Sequence, residues 1–217
     1  MNSIVNNKIC IKNLISELAI ILKNDLPGIN AQSKMVSSFQ KRMVDYFNKD
    51  QILKPAAVLI VLFEEEDELK TFLIERVPDS GPHSGQIAFP GGRMENSDQD
   101  LIDTAIRETE EEIGIKIKKE NILGHLTSVE IPVSGFSVLP VIGYTEFVHN
   151  PNRCLYEVNC ILKVNLIELF KTKTSRIINV RGEDIEVPCY IVDNHIVWGA
   201  TAMVLSEMED IFEKLRF

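Results

Sequence analysis

The chain has 217 residues, 45% of them hydrophobic, which is enough for one sizeable globular core or for a core with a helical addition. Against 32 Asp and Glu stand 23 Lys and Arg, a formal charge of −9 with no basic cluster, which argues against nucleic acid as a partner. No apolar run reaches the roughly 18 residues of a membrane span and the N-terminus lacks a charged-then-apolar leader, so the expected setting is cytoplasmic, with no membrane partner.

Ile11, Leu14, Ile15, Leu18, Ile21 and Leu22 recur at helical spacing, and the Leu-Pro-Gly from Leu26 to Gly28 stops the pattern. A second helical stripe, Val36, Phe39, Met43, Tyr46 and Phe47, ends near residues 48 to 50. Residues 1–50 therefore read as an N-terminal helical extension, its stripes serving as packing surface and available for contact with a second copy in a homodimer. Residues 51–217 form the main domain. Ala56 to Phe63 and Lys70 to Val77 are short β-rich runs joined by an acidic turn, the pattern of a hairpin. Ser80 to Gly92 (SGPHSGQIAFPGG) reads as a loop around a brief strand at Ile87 to Phe89, closed by a Gly-Gly turn.

Ser97 with Asp100 makes a capping-box pattern and Gly114 suits a helix C-terminus, which predicts a helix over Asp98 to Ile113 with Ile102, Ala105, Ile106, Thr109 and Ile113 on its apolar side. Strands are expected at Ile122 to Ile131, Val138 to Tyr144, Cys160 to Val164, Arg176 to Val180, Glu186 to Val192 and Ile196 to Trp198. Val204, Met208, Ile211 and Leu215 mark a last helix. Strands on both sides of one central helix predict an α/β protein with a mixed sheet between helices. Cys10, Cys154, Cys160 and Cys189 form no CxxC or Cys/His cluster, so they read as reduced small hydrophobes rather than zinc ligands. Trp198 reads as a core residue, and His125, His149 and His195 as loop or packing residues.

The central helix breaks a local rule. Stepping about 100° per residue puts Glu108, Glu111 and Glu112 on one patch, away from the apolar side. Each like-charge pair costs roughly 0.2–0.5 kcal/mol, and a carboxylate in the last turn opposes the macrodipole by roughly 0.3–1 kcal/mol. A divalent cation relieves both costs, and an oxygen-only donor set selects Mg²⁺ or Mn²⁺ over zinc. Arg107 is placed to hold a carboxylate by bidentate bonding.

Gly91 and Gly92, followed by RETEEEIGI from Arg107 to Ile115, resemble the Nudix box: Gly, five residues, Glu, seven residues, Arg-Glu-apolar-x-Glu-Glu-x-Gly-apolar. The chain departs from it with Asp98 in the Glu position, one extra residue before Arg107, and Thr109 at an apolar position. The longer spacer with Asp is similar to the coenzyme A pyrophosphatase subgroup. So is LIERVPDSGPHSGQIAFPGGR, with Arg76, Gly85, Phe89 to Gly92 and Arg93 in register. Val77 and Gly81 depart from that subgroup's usual Ser and basic residue.

The resemblance spans roughly residues 55 to 212 and implies a Nudix α/β/α sandwich. It further implies metal-dependent hydrolysis of a nucleoside diphosphate derivative, with coenzyme A or acyl-coenzyme A giving 3′,5′-ADP and 4′-phosphopantetheine. The implied metal ligands are Glu108, Glu111, Glu112 and the Gly91 carbonyl. Arg107 orients them, and Glu108 or Glu157 acts as general base. Arg76, His83 and Arg93 are the implied contacts to a small nucleotide substrate. Two alternatives stay open: hydrolysis of ADP-ribose or another nucleotide pyrophosphate, and a non-catalytic nucleotide-sensing module.

Overall fold

The computed structural model describes residues 11–24, 26–37, 52–78, 83–180 and 182–215. Its chain order is α1 (Ile11–Ile21), α2 (Gly28–Gln32), β1 (Lys54–Glu65), β2 (Glu68–Arg76), β3 (Ile87–Ala88), β4 (Gly91–Arg93) and α3 (Leu101–Ile113). There follow β5 (Ile122–His125), β6 (Val129–Ile131), β7 (Phe136–Thr145), β8 (Val158–Asn165), α4 (Leu166–Phe170), β9 (Thr174–Val180), β10 (Glu183–Val192), β11 (His195–Val197) and α5 (Gly199–Lys214).

β1 and β2 form the expected hairpin, and its tip is tight because Glu66 and Asp67 both take positive φ, at 56° and 62°. Two successive residues of that kind make the turn whose twist matches paired strands. Past the tip the two strands separate. β2 turns to pair with β8 and β3, while the start of β1 pairs antiparallel with β4 and in parallel with β7 along its length. The split admits β4, so Gly91 and Gly92 lie in a strand opposite Val58 and Ala57 rather than in a free turn. β5 and β6 pair with successive stretches of β7, so the strand expected over Ile122 to Ile131 is two strands. A separate three-stranded sheet holds β9, β10 and β11, where one continuous sheet was expected.

Alternation along the strands builds two cores, one on each face of the large sheet. Ala57, Leu59, Val61 and Phe63 of β1, with Phe72 and Ile74 of β2, pack toward Ala105 and Ile113 of α3. Ile60 and Leu62 face the other way, into a larger cluster with α1, α5 and Tyr190, Val192 and Val197 of the small sheet. Helices on both faces of a mixed sheet make the α/β/α sandwich.

The helix expected from Ile11 is present, and its Ile11, Leu14, Ile15 and Leu18 are buried in the larger core of the same chain. The second N-terminal stripe differs from expectation at its start: Val36 is extended and follows a 3₁₀ turn at Ser33–Met35, while Phe39, Met43, Tyr46 and Phe47 lie outside the described residues. A buried carboxylate fastens this segment. Glu207 of α5 accepts from the Gly28 N–H (3.1 Å), Gln32 Nε2 (2.9 Å), the Thr127 N–H (3.3 Å) and Thr127 Oγ1 (2.8 Å). Four donors on one fully buried side chain make the N-terminal segment part of the fold's polar accounting. Trp198, expected in the core, is half-buried at the N-cap of α5 and outside both clusters.

Candidate active site

α3 begins at Leu101, not Asp98, because Asp100 is the N-cap: its side chain accepts the Asp103 N–H, and its backbone is extended. Gly114 ends the helix at φ 69° with its N–H on the Glu110 carbonyl, as the sequence implied. Freed from the helix, Asp98 forms the site's strongest ion pair. Arg107 Nε donates to Asp98 Oδ1 at 2.9 Å and Nη2 to Oδ2 at 3.0 Å, the parallel two-point geometry that guanidinium and carboxylate favour. The Glu95 N–H and Thr104 Oγ1 also donate to Asp98, and this set holds its carboxyl well below the usual carboxylate range, the Arg107 bonds contributing most. The bidentate partner of Arg107 is thus Asp98 and not Glu108.

The remaining Arg107 donors reach the acidic turn. Nη1 donates to Glu108 Oε1 (2.9 Å) and Glu111 Oε2 (3.0 Å), and Nη2 also reaches the Arg93 carbonyl (3.2 Å). Pinned at one end by Asp98, this guanidinium holds two carboxylates of α3 and the end of β4 in fixed relation.

The three glutamates differ sharply in environment. Glu111 is exposed, Glu108 is largely covered, and the Glu112 side chain is only 1% exposed. The three were expected on one patch, and of them Glu112 points under the sheet, where the Gly91 N–H donates to its Oε2 at 2.8 Å and Arg76 Nη1 stands 3.7 Å from Oε1. Burial pushes the Glu112 carboxyl up to about 7, against the Gly91 bond and the Arg76 charge, and the charges of Glu108 and Glu157 add to the rise. Burial also raises Glu108, with Arg107 opposing and Glu111 and Glu157 reinforcing.

The glycines are explained by contact. A Cβ on Gly91 would lie 2.3 Å from the Ala57 carbonyl oxygen and 2.5 Å from Val58 Cα, and its φ of 154° disfavours any side chain. A Cβ on Gly92 would lie 2.5 Å from the Glu108 carboxyl carbon, so Gly92 makes room for that carboxylate. Sequence reasoning noted Gly92 only as motif and gave it no role. Thr109, the departure from an apolar position, is fully buried, and its hydroxyl is satisfied by the Ala105 carbonyl at 2.7 Å.

The loop before β8 is fastened to the end of α3: the Asn152 N–H donates to the Ile113 carbonyl (2.9 Å) and the Cys154 N–H to the Glu112 carbonyl (2.8 Å). Glu157 follows on the same loop, exposed, its charge acting on both Glu108 and Glu112. The structure therefore gathers Glu108, Glu111, Glu112, Arg107, Arg76, Gly91 and Glu157. The Arg93 side chain extends into solvent with Glu95 at 3.9 Å, and His83 Nδ1 meets Gln86 Oε1 (3.1 Å) within its own loop.

Five carboxylates, Asp98, Glu108, Glu111, Glu112 and Glu157, face two guanidinium groups, and two of the five are raised by burial. Such a hard-oxygen, negatively unbalanced set suits a hard divalent cation. Fold and site together define an α/β/α protein with a carboxylate-rich centre of the kind that suits a hard divalent cation.

A model of the NUDIX domain matches residues 53–149. The uncharacterized Nudix hydrolase NudL of Klebsiella pneumoniae is 30% identical over 177 residues, covering 76% of this chain and 91% of the relative. NudL of Enterobacter sp. is 31% identical over the same length and coverage. Among solved structures, a MutT/nudix family protein from Enterococcus faecalis superposes with a TM-score of 0.54 at 15% identity, over 85% of this chain and 73% of that one. The NUDIX domain of Shewanella oneidensis NrtR, solved with ADP ribose, gives 0.53 at 11% identity over 80% and 98%. The chain belongs to the Nudix hydrolase family, enzymes that act on nucleoside diphosphate derivatives with the aid of divalent metal ions.

Proposed function

We propose that the chain is a coenzyme A pyrophosphatase, cleaving coenzyme A or acyl-coenzyme A to 3′,5′-ADP and 4′-phosphopantetheine. The observation that carries this reading is the position of Gly85 to Arg93, the segment similar to the coenzyme A subgroup: its Gly91 N–H holds Glu112, and its Gly92 lies against Glu108. A segment tied to both Glu108 and Glu112 is suited to guide a particular pyrophosphate to them.

In this reading Glu108, Glu111 and Glu112, with the Gly91 carbonyl, would hold Mg²⁺ or Mn²⁺. The bound cation would screen the pyrophosphate and stabilise charge developing on the attacked phosphorus. Arg107 is a positioning residue, since its bonds to Asp98, Glu108 and Glu111 fix the carboxylates. Glu108 would accept the proton of the attacking water, with Glu157, exposed on the loop fastened to the end of α3, the alternative base. That water adds to one phosphorus as the bridging P–O bond breaks. Arg76 and Arg93 would pair with phosphate oxygens, and His83 would donate to one at the loop's edge.

The test compares kcat/KM for coenzyme A, dephospho-coenzyme A and ADP-ribose with Mg²⁺ or Mn²⁺, products being resolved by chromatography. Coenzyme A should be preferred over ADP-ribose, because binding energy from its pantetheine and 3′-phosphate ends can orient the pyrophosphate. With Val77 and Gly81 in place of polar residues, loss of the 3′-phosphate should carry only a modest penalty. A preference for ADP-ribose would move the assignment to another nucleotide substrate. No turnover of any nucleotide pyrophosphate would favour a sensing module.

A further inference from the structure

A second set of donors sits on the opposite face of the large sheet from α3. Leu73 of β2 and Leu162 of β8 point into the larger core, and two residues along each strand come Glu75 and Cys160, which are register partners. β11 adds His195. One ligand atom from each of Glu75, Cys160 and His195 lies within 4.8 Å of the other two, and all three residues are half-buried. The sequence showed no Cys/His cluster because these residues are 85 and 35 positions apart and meet only through pairing of β2 with β8 and packing of β11 near β3.

The neighbours of these groups orient them as ligands. His195 Nδ1 lies 3.3 Å from the Val192 carbonyl oxygen. A carbonyl only accepts, so Nδ1 carries the proton and Nε2 is left unprotonated in the neutral ring, the division of roles found in metal-bound histidines. Asn159 Nδ2 donates to Glu75 Oε2, and Cys160 Sγ stands 3.5 Å from that oxygen. The Asn159 carbonyl in turn accepts from Arg153 Nη1, which steadies the start of β8.

We propose that Glu75, Cys160 and His195 form a second metal site that takes a zinc-class ion and is chemically distinct from the oxygen-only centre on α3. Thiolate, imidazole and carboxylate together select Zn²⁺ or Co²⁺ over Mg²⁺, and three protein ligands leave one tetrahedral position for water. Binding converts the Cys160 thiol to thiolate and releases its proton to solvent. The ion would join β11, at the foot of α5, to the β2–β8 pair. Glu75 is the residue before Arg76, so the clasp would stiffen the strand that carries Arg76 to Glu112.

The test is a Co²⁺ titration of the full chain, stripped of transition metal and kept in excess Mg²⁺ so that the α3 centre does not compete. One equivalent of Co²⁺ should produce thiolate-to-cobalt charge-transfer absorption in the near ultraviolet and four-coordinate bands in the visible, and Zn²⁺ should displace both. Cys160→Ser should lose the charge-transfer band, and His195→Gln should weaken Co²⁺ binding by tenfold or more. Glu112→Gln should leave the band unchanged. Absence of the band in wild type overturns the site. So does its survival in Cys160→Ser, which would assign the absorption to another cysteine, or its loss in Glu112→Gln, which would assign it to the α3 centre. Melting curves of the two ligand variants in EDTA establish that each is folded before it is titrated.

Discussion

Glu112→Gln separates the cost of burying this carboxylate from its use. Its carboxyl is pushed to about 7 from an ordinary 4.5, by burial first. At 1.36 kcal/mol for each unit, the ionised side chain destabilises the metal-free fold by about 3 kcal/mol above neutrality. The native state holds this proton more tightly than the unfolded chain does. The associated stability is therefore fully present below about pH 4.5 and is lost as the pH rises through about 7.

Glutamine cannot ionise, and it keeps an oxygen for the Gly91 N–H; the attraction to Arg76, 3.7 Å from the carboxylate, already lowers the value of about 7 and is not subtracted a second time. In EDTA at about pH 8 the variant should exceed wild type by roughly 3 kcal/mol, or about 6–12 °C in Tm for a chain of this size. The gap should close as the pH falls toward 4.5. With Mg²⁺ or Mn²⁺ wild type should gain about 2.7 kcal/mol at a hundred times Kd and the variant little, while turnover falls on the order of a hundredfold. A variant less stable than wild type at pH 8, or a gap that ignores pH, would refute the reasoning.

Asp98→Asn should destabilise by about 3 kcal/mol, because it leaves Arg107 without its two-point partner on a side chain only 4% exposed, and calorimetry at neutral pH checks this. The native Asp98 carboxyl is held low, so its contribution is present above its unfolded value of 3.8 and is lost only as the pH falls below it; an Asp98→Asn deficit unchanged down to pH 2 would contradict that assignment. Gly92→Ala and Gly91→Ala should diverge. In the first the new Cβ meets the movable end of Glu108, so turnover falls while the melt changes little; in the second it meets the backbone of β1, so the fold itself loses stability. Glu207→Ala strands the buried donors of Gly28, Gln32 and Thr127, at about 1–3 kcal/mol for each one left unsatisfied, and limited proteolysis should then cut the N-terminal segment first.

The hairpin, the ends of β7 to β11 within a few residues, the C-terminus of α3 and the final helix were legible because each is written in local periodicity or in one turn residue. Pairing that depends on distant chain was not. Nothing near Gly91 says that β1 and β2 part and leave Val58 free to pair with it, so a strand was taken for a turn. Nothing between Arg176 and Val197 says that those strands leave the main sheet. The acidic turn was visible as a violation of helix electrostatics, but the burial of each carboxylate was not. Periodicity gives the angle of a side chain about its helix; it does not give the depth of the surface that the helix lies on. Glu112 shares a patch with the exposed Glu111 and is yet buried, because its side chain reaches Gly91 of β4 and lies beside Arg76 of β2.

That difference in depth changes what the carboxylates can do. Three equally exposed glutamates would be screened by water and would bind a cation weakly. Here Glu108 and Glu112 have lost much of their solvation while Gly91, Arg76 and Arg107 hold them in place, so the ionised forms are costly until a positive charge arrives. The two guanidinium groups supply part of that charge and cannot supply all of it against five carboxylates. Arg107 is in addition committed to Asp98, whose side chain is only 4% exposed. The departure of Asp98 from the family pattern is thereby part of the same device: one residue further from Arg107 in sequence and one carbon shorter than Glu, it still reaches the guanidinium at two points, because it stands before the helix rather than on it. The electrostatic deficit that remains is concentrated at Glu108 and Glu112, beside the strand that presents Gly91 and Gly92.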